Sequence, residues 1–346
     1  MKSNKYIRQP EYAEQIMVKK KTSAKRNRYI ALQAVIFVVL FALLISVVSL
    51  AGNKALAEYN VEKSDLLKAF TDISVSGKVD NSFLVQKLGK ELSSTNAILI
   101  DLASEEVIAE KLPDEKVFPA SMTKVMTAVV VLEHFDDLSV QIEMPADMYA
   151  YLREQNASVA GFLPGEKVQI IDLLYGVLLP SGADACLSLA RAVSGSEAEF
   201  AKDMTAKAKE LGALNTNFVN STGLHDDNHY TTVRDMAKIV KYALQNDDFR
   251  AVFTAESHTT APTNKHSKGL EMNSTVFSAI RRTGLDNNYI LGGKTGYTGE
   301  ACLCLASLGK KGGREYILVT VGAGTSTSSK GTHHVKDALY VFNNVA

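Results

Sequence analysis

Ser121 and Lys124 stand three residues apart in Phe118-Pro119-Ala120-Ser121-Met122-Thr123-Lys124, ahead of an apolar run to Leu132 in which only Thr127 is polar. A segment that apolar on nearly all sides predicts a buried central helix. Pro119 suits its start, where a missing backbone N–H costs nothing. Ser121 is then expected in the first turn with Lys124 one turn on, on the same face. A weak nucleophile, an amine that could serve as its base, and backbone N–H groups that could hold an oxyanion are the parts of an acyl-transfer site. The pattern is cheap on its own, and a second copy occurs at Ser307-Leu308-Gly309-Lys310. That copy runs off an alternating apolar segment into Gly309, so its side chains would share no helical face.

Two further stretches add to the first. Ser181-Gly182-Ala183 falls at a break between two helical patterns, and Lys294-Thr295-Gly296-Tyr297-Thr298 is expected just before a late strand. Singly, a serine in a helix break reads as a cap and a lysine beside a turn as solvated. In this order, each beside a suitable element, they read as one constellation.

The elements that must position them follow from periodicity. Ala97–Ile100 and Val107–Ile108 predict a β-hairpin, and Val168–Leu179, Ala183–Val193, Glu197–Leu211 and Val233–Leu244 predict helices. Asn220-Ser221-Thr222-Gly223-Leu224 is turn chemistry. Cys302–Leu308 and Tyr316–Val321 alternate like antiparallel strands, and Val335, Ala338, Leu339 and Phe342 stripe a terminal helix. The expected class is α+β: one antiparallel sheet from both ends of the chain, covered by helices, with a helical lobe beside it and a cleft between.

Charge is balanced overall, with 38 basic and 38 acidic side chains among 346 residues, but unevenly placed. Residues 1–28 hold nine basic side chains against Glu11 and Glu14. The remainder is therefore net acidic, which argues against nucleic acid as a partner. Tyr29 to Asn53 is an uncharged run of 25 residues, long enough to cross a bilayer as a helix. Six basic residues precede it between Lys19 and Arg28, against Lys54, Lys63 and Lys68 shortly after. The positive-inside rule then puts the N-terminus in the cytoplasm and the body outside. The competing reading is a signal peptide cleaved at Ala55-Leu56-Ala57, whose apolar core would be unusually long. The expected organisation is a basic tail (1–28), a single transmembrane anchor (29–53), a stalk (54–92) and a catalytic domain (93–346). Cys186, Cys302 and Cys304 have no His partners at ligand spacing, so no metal or other cofactor is expected.

With these motifs in this order, residues 93–346 resemble the serine penicillin-recognising enzymes. The chain is most similar to the D-alanyl-D-alanine carboxypeptidases among the low-molecular-mass penicillin-binding proteins. Leu178-Leu179-Pro180-Ser181-Gly182, Phe218-Val219-Asn220, His229-Tyr230-Thr231-Thr232 and Gly293-Lys294-Thr295-Gly296-Tyr297-Thr298 extend the likeness. The resemblance implies an acyl-enzyme on Ser121, with Lys124 as a neutral general base and Ser181 relaying a proton to the leaving amine. It assigns the substrate carboxylate to Lys294 and Thr295, and the oxyanion to the backbone N–H groups of Ser121 and Tyr297, with Gly296 between. The implied partners are peptidoglycan stem peptides ending in D-Ala-D-Ala, with β-lactams as inhibitors, at the outer face of a bacterial cell membrane. Two departures stand out. The middle motif usually ends in Asn, where this chain has Ala183, and the C-terminal β-rich domain with a membrane-binding helix found in many relatives is not recognisable, which favours the N-terminal anchor. Ala183 motivates a different reading, a tethered penicillin-binding sensor or weak pseudoenzyme. A transpeptidase differs only in the acyl acceptor and stays open. A class A β-lactamase would need a Glu-x-x-x-Asn element after the middle motif, which is not found.

Overall fold

Alternation in three strands decides the architecture. The computed structural model describes residues 91–325, 327 and 331–345. Its principal sheet has five antiparallel strands in the order β2-β1-β9-β8-β7. These are β1 (Asn96–Asp101), β2 (Val107–Lys111), β7 (Ile290–Thr298), β8 (Cys302–Lys311) and β9 (Arg314–Val321). Ile98, Ile100, Cys304, Ala306, Leu308, Ile317 and Val319 point into one apolar cluster, while Ala97, Leu99, Leu305, Tyr316 and Leu318 point into another. Successive side chains thus serve two cores, one on each face, as the period of two requires. The second cluster is closed by α8 (Thr275–Thr283) and α9 (His333–Asn344). The first merges with the helical lobe.

The lobe is organised around α1 (Lys124–His134), whose residues from Lys124 to Val131 are all buried. Around it stand α3 (Ile170–Leu178), α4 (Ala183–Ser194), α5 (Glu197–Glu210), α6 (Val233–Ala243) and α7 (Asp247–Thr254). Ser196, Thr232 and Asn246 accept N–H bonds from Glu199, Asp235 and Phe249, capping α5, α6 and α7 where sequence periodicity alone leaves their starts vague. A short helix, α2 (Met148–Glu154), and two small two-stranded sheets, β3 (Gln141–Glu143) with β4 (Lys167–Gln169) and β5 (Ser257–Thr259) with β6 (Glu271–Asn273), edge the lobe. The β5–β6 arm is pinned to the lobe by His258 Nε2 on Asp172 Oδ1 at 2.6 Å and His266 Nδ1 on Glu166 Oε1 at 2.8 Å.

The antiparallel α+β arrangement agrees with the sequence reading. Three local expectations need correction. Lys294–Thr298 lies inside edge strand β7 and not ahead of the late strands; Gly292, Gly293 and Gly296 remove the side chains that would have shown its alternation. Val168 belongs to β4, so the helix begins at Ile170. Ahead of α1 the chain makes a 3-10 turn over Ala120–Thr123, where the first α-turn was expected. Residues 1–90, including the expected tail, anchor and most of the stalk, lie outside the described residues. Among the described residues no helix is long and apolar enough to cross a membrane.

Helix α9 packs directly on β8 at Gly309, where a Cβ would run into the Phe342 ring. Gly309→Ala is therefore expected to lower stability by about 1–3 kcal/mol through overpacking. A urea midpoint equal to that of the parent chain would show that the ring has room to yield.

Candidate active site

The 3-10 turn sets the first motif. In such a turn residues i and i+3 eclipse. Lys124 Nζ accordingly lies 3.1 Å from Ser121 Oγ, and donates to Thr222 O at 2.5 Å. Lys124 is 2% exposed, and burial pushes its pKa below the usual lysine range. Ala120, just ahead of the serine, has φ +46°. Its conformation is held from two sides. Thr123 Oγ1 donates to Ala120 O at 2.8 Å and lies 2.7 Å from His229 Nε2, while Val219 N–H donates to His229 Nδ1 at 3.1 Å. Because Nδ1 accepts, the neutral ring carries its proton on Nε2 and donates to Thr123. On the other side Gly223, at φ +80°, packs so closely that a Cβ there would overlap Ala120 O.

Gly223 belongs to the Asn220–Leu224 turn, legible in the sequence only as a turn. Asn220 Oδ1 accepts from Gly223 N at 2.7 Å and Thr222 N at 3.2 Å. Ser221 N and Oγ both donate to Glu197 Oε1, at 2.9 and 2.7 Å, and Thr127 Oγ1 donates to Ser221 O at 2.7 Å. The turn therefore presents the Thr222 carbonyl to Lys124 from a fixed frame. No local sequence pattern marks Thr222 or His229 as part of the site. Their partners lie 98 and 106 residues away.

The middle motif forms another wall. Ser181 adopts φ +68°, and its Oγ is buried without a hydrogen-bond partner in the structure. A buried hydroxyl in that state is poised for a ligand or a mobile proton. Ala183 is buried at the start of α4, and its N–H donates to Ser158 O at 2.8 Å. Asp184 accepts from Ala160, Gly161 and Phe162 N–H at 2.7, 3.1 and 3.2 Å, which ties the loop before β4 to α4. Burial raises the Asp184 pKa, with those N–H bonds opposing it.

The third motif comes from edge strand β7. Thr295 Oγ1 lies 2.7 Å from Thr275 Oγ1, Gly296 packs against Ala120 and Ser121 N, and Tyr297 is exposed. Lys294 is fully buried and its Nζ donates to Thr295 O at 2.8 Å. Burial first, and then the charge of Lys124, hold its pKa well below the lysine range. Cys186 lies close enough to feel both lysines, and burial pushes its thiol up to about 12.

Ser121, Ser181, Thr295, Gly296 and Tyr297 line one cleft of about 410 Å³. Lys124 lies behind its wall, bonded to Ser121, and Lys294 likewise does not line it. Asn156 and Ser158 edge the cleft on the lobe side, and Arg282 and His334 line it as well. A hollow of about 260 Å³ beside Leu132, Glu133 and Tyr242 contains none of the motif residues. Among the described residues no group of three His, Cys, Asp or Glu side chains could hold a metal ion.

The chain is similar to known proteins over most of its described residues. The family model described as D-alanyl-D-alanine carboxypeptidase (peptidase S11) matches residues 82–325. A D-alanyl-D-alanine carboxypeptidase of Streptomyces sp. strain K15 is 32% identical over 241 residues, covering 67% of this chain and 81% of its own. D-alanyl-D-alanine carboxypeptidase DacF of Bacillus subtilis is 35% identical over 233 residues, covering 66% of this chain and 57% of its own. This chain thus spans little more than half the length of that relative, and 56% of DacC of Escherichia coli. The crystal structure of the Streptomyces K15 DD-transpeptidase superposes with a TM-score of 0.65 at 27% identity, covering 74% of this chain and 98% of that one.

Two outcomes follow from the turn that carries Ser121. Gly223→Ala is expected to abolish labelling of Ser121 by a fluorescent penicillin, since Ala120 O must move; unchanged labelling would show that the turn is not clamped there. Burial holds the pKa of both His229 and His334 down to about 4, below the ordinary 6.5. The unfolded chain then binds protons that the folded one does not as pH falls through that window. Stability is accordingly expected to fall as pH drops from about 6.5 to about 4. Urea midpoints should show this, with a shallower slope in His229→Gln; a flat profile for the parent chain would contradict it.

Proposed function

We propose that this chain, which belongs to the D-alanyl-D-alanine carboxypeptidase family, removes the terminal D-alanine from peptidoglycan stem peptides through an acyl-enzyme on Ser121. The observation that carries the reading is the 3.1 Å contact between Lys124 Nζ and Ser121 Oγ, made by an amine that burial biases toward its neutral form. Thr222 O engages one N–H, so the lone pair of the neutral amine is free to face Ser121. Lys124 then takes the Ser121 proton as Oγ bonds to the carbonyl carbon of the penultimate D-alanine. The oxyanion accepts from the N–H groups of Ser121 and Tyr297, an arrangement commonly worth about 10²–10³ in rate per donor. As the C–N bond breaks, the leaving nitrogen receives that proton through the Ser181 hydroxyl, and D-alanine departs. Water, deprotonated by Lys124, attacks the ester carbon, and Ser121 Oγ recovers its proton.

β-Lactams would acylate the same serine. The uncharged run 29–53, with its basic flank, supports a single membrane anchor that leaves the catalytic domain outside the cell. A second reading, acyl transfer to an amine in place of water, is favoured by the similarity to the Streptomyces K15 DD-transpeptidase.

Ser121→Ala is expected to lose both fluorescent-penicillin labelling and D-alanine release from a D-Ala-D-Ala pentapeptide. Lys124→Arg should lower acylation by about 10²–10⁴-fold, because a guanidinium cannot act as a base. In the parent chain acylation should rise with pH through the depressed Lys124 pKa. Release that persists in Ser121→Ala would remove the nucleophile assignment, and labelling without release would favour the sensor reading prompted by Ala183. Added acceptor amine that diverts the acyl group would favour the transpeptidase.

A further inference from the structure

The start of α4 offers the cleft no amide, because Ala183 has none to give and is not among the lining residues. A carboxamide reaches the cleft from a different segment. Among the described residues that line it, Asn156 alone carries a side-chain amide. Thr295, Gly296 and Tyr297 supply the β7 wall, and Asn156 and Ser158 supply the wall on the lobe side.

The backbone at Asn156 is that of a helix stop. Asn156 N–H donates to Arg153 O at 3.1 Å and Ala157 N–H to Leu152 O at 3.0 Å, the paired bonds that close α2 on a left-handed residue. Asn156 is that residue, at φ +49°. Glycine takes this conformation without strain, and asparagine tolerates it better than most side chains. The turn uses only the main chain of Asn156. Its side chain is exposed in the cleft and engages no other described residue. A carboxamide is thus carried where glycine would suit the backbone better, and is left free to meet a ligand.

The frame beneath it is fixed. Ser158 O accepts from Ala183 N–H at 2.8 Å, and Asp184 takes the N–H groups of Ala160, Gly161 and Phe162. Ala160 comes so near Gly182 that a Cβ there would overlap it. The segment that follows Asn156 is therefore fastened to the residues that follow Ser181.

A carboxamide complements a peptide unit, since Nδ2 donates to its carbonyl and Oδ1 accepts from its N–H. The substrate brings two such units near the reacting bond. The scissile one is already engaged, its carbonyl by Ser121 and the oxyanion N–H groups, its nitrogen by Ser181. The unit on the acyl side, ahead of the penultimate D-alanine, is still to be held. A β-lactam with an acylamino side chain carries the same unit.

We propose that Asn156 binds this acyl-side peptide unit, with Nδ2 donating to its carbonyl oxygen, so that the end of α2 supplies the carboxamide that the start of α4 lacks. The assignment rests on the acylation of Ser121 proposed above and adds a substrate-binding residue from outside the three motifs.

The test measures second-order rate constants for acylation by benzylpenicillin, which carries an acylamino group, and by penicillanic acid, the same bicyclic core without it. Asn156→Gly keeps the left-handed turn and removes the carboxamide. In that variant the benzylpenicillin-to-penicillanic acid ratio should fall by about 3- to 10-fold, the range for one neutral hydrogen bond. Asn156→Asp keeps the shape but has no N–H to donate, and should lower the ratio at least as far. Thermal melting establishes that both variants are folded. An unchanged ratio in Asn156→Gly, an equal loss with both β-lactams, or a parent-like ratio in Asn156→Asp overturns the assignment while leaving the proposed reaction standing. If neither β-lactam acylates the parent chain, the proposed reaction falls, and this assignment with it.

Discussion

The structure depends on keeping the Lys124 amine dry beside a serine. A lysine stripped of water far more readily gives up its proton than retains a bare charge, because the cost of burying an isolated ammonium is far larger than that of neutralising it. Here two lysines are buried close together, and each keeps a single backbone acceptor, Thr222 O for Lys124 and Thr295 O for Lys294. Burial is the first cause of both depressed pKa values, and the charge of Lys124 adds to the effect on Lys294. Such a site needs apolar cover on every side but one. That is why the first motif opens an enclosed helix of the lobe, and why Val125, Met126, Ala128 and Val131 are fully buried around it.

The one open side has to be shaped by the backbone. Ala120 and Ser181 both occupy the left-handed region without being glycine, at φ +46° and +68°. Such conformations persist only where neighbours over-determine them. At Ala120 the determinants are visible: His229 and Thr123 hold its carbonyl, and Gly223 closes over it. Ser121 is thus positioned by a layer of residues that never reaches the cleft. That layer is also where the buried neutral histidine sits, so the integrity of the turn and the acid stability of the fold are linked through His229.

The sequence made the site legible in its residue types and only partly in its geometry. The pairing of Ser121 with Lys124 and their enclosure could be read locally, since both depend on spacing and on the apolar run that follows. The hairpins β1–β2 and β8–β9 were legible for the same reason. Strand β7 was not, because three glycines blank its pattern, and the 3-10 turn was not, because the close approach that accommodates Ala120 at positive φ comes from Gly223, about a hundred residues on. Lys294 was legible as a site residue, but whether its amine meets the cleft or the interior depends on how β7 packs against the lobe, and no local pattern carries that. Arg282 gave no signal at all: Arg281 beside it is the same residue type, and one step around the helix separates an arginine paired with Glu256 from one that lines the cleft.

Ala183 shows how a motif can lose a side chain without losing its architecture. An Asn there would offer an amide from the start of α4, and an alanine offers none. The neighbouring Asp184 nonetheless spends its carboxylate on three successive N–H groups of residues 160–162, and the Ala183 N–H binds Ser158 O. The preceding loop is therefore fastened against the helix that carries the departure. Asn156 and Ser158 of that loop edge the cleft near Ser181. The wall opposite β7 thus remains polar, supplied by a different segment, while the Ser181 hydroxyl keeps its buried position. A substitution that removes the amide but retains Ser181, Gly182 and Asp184 preserves the parts that hold the backbone. The polar groups on that side are then those of the loop, whose placement depends on the buried Asp184 carboxylate.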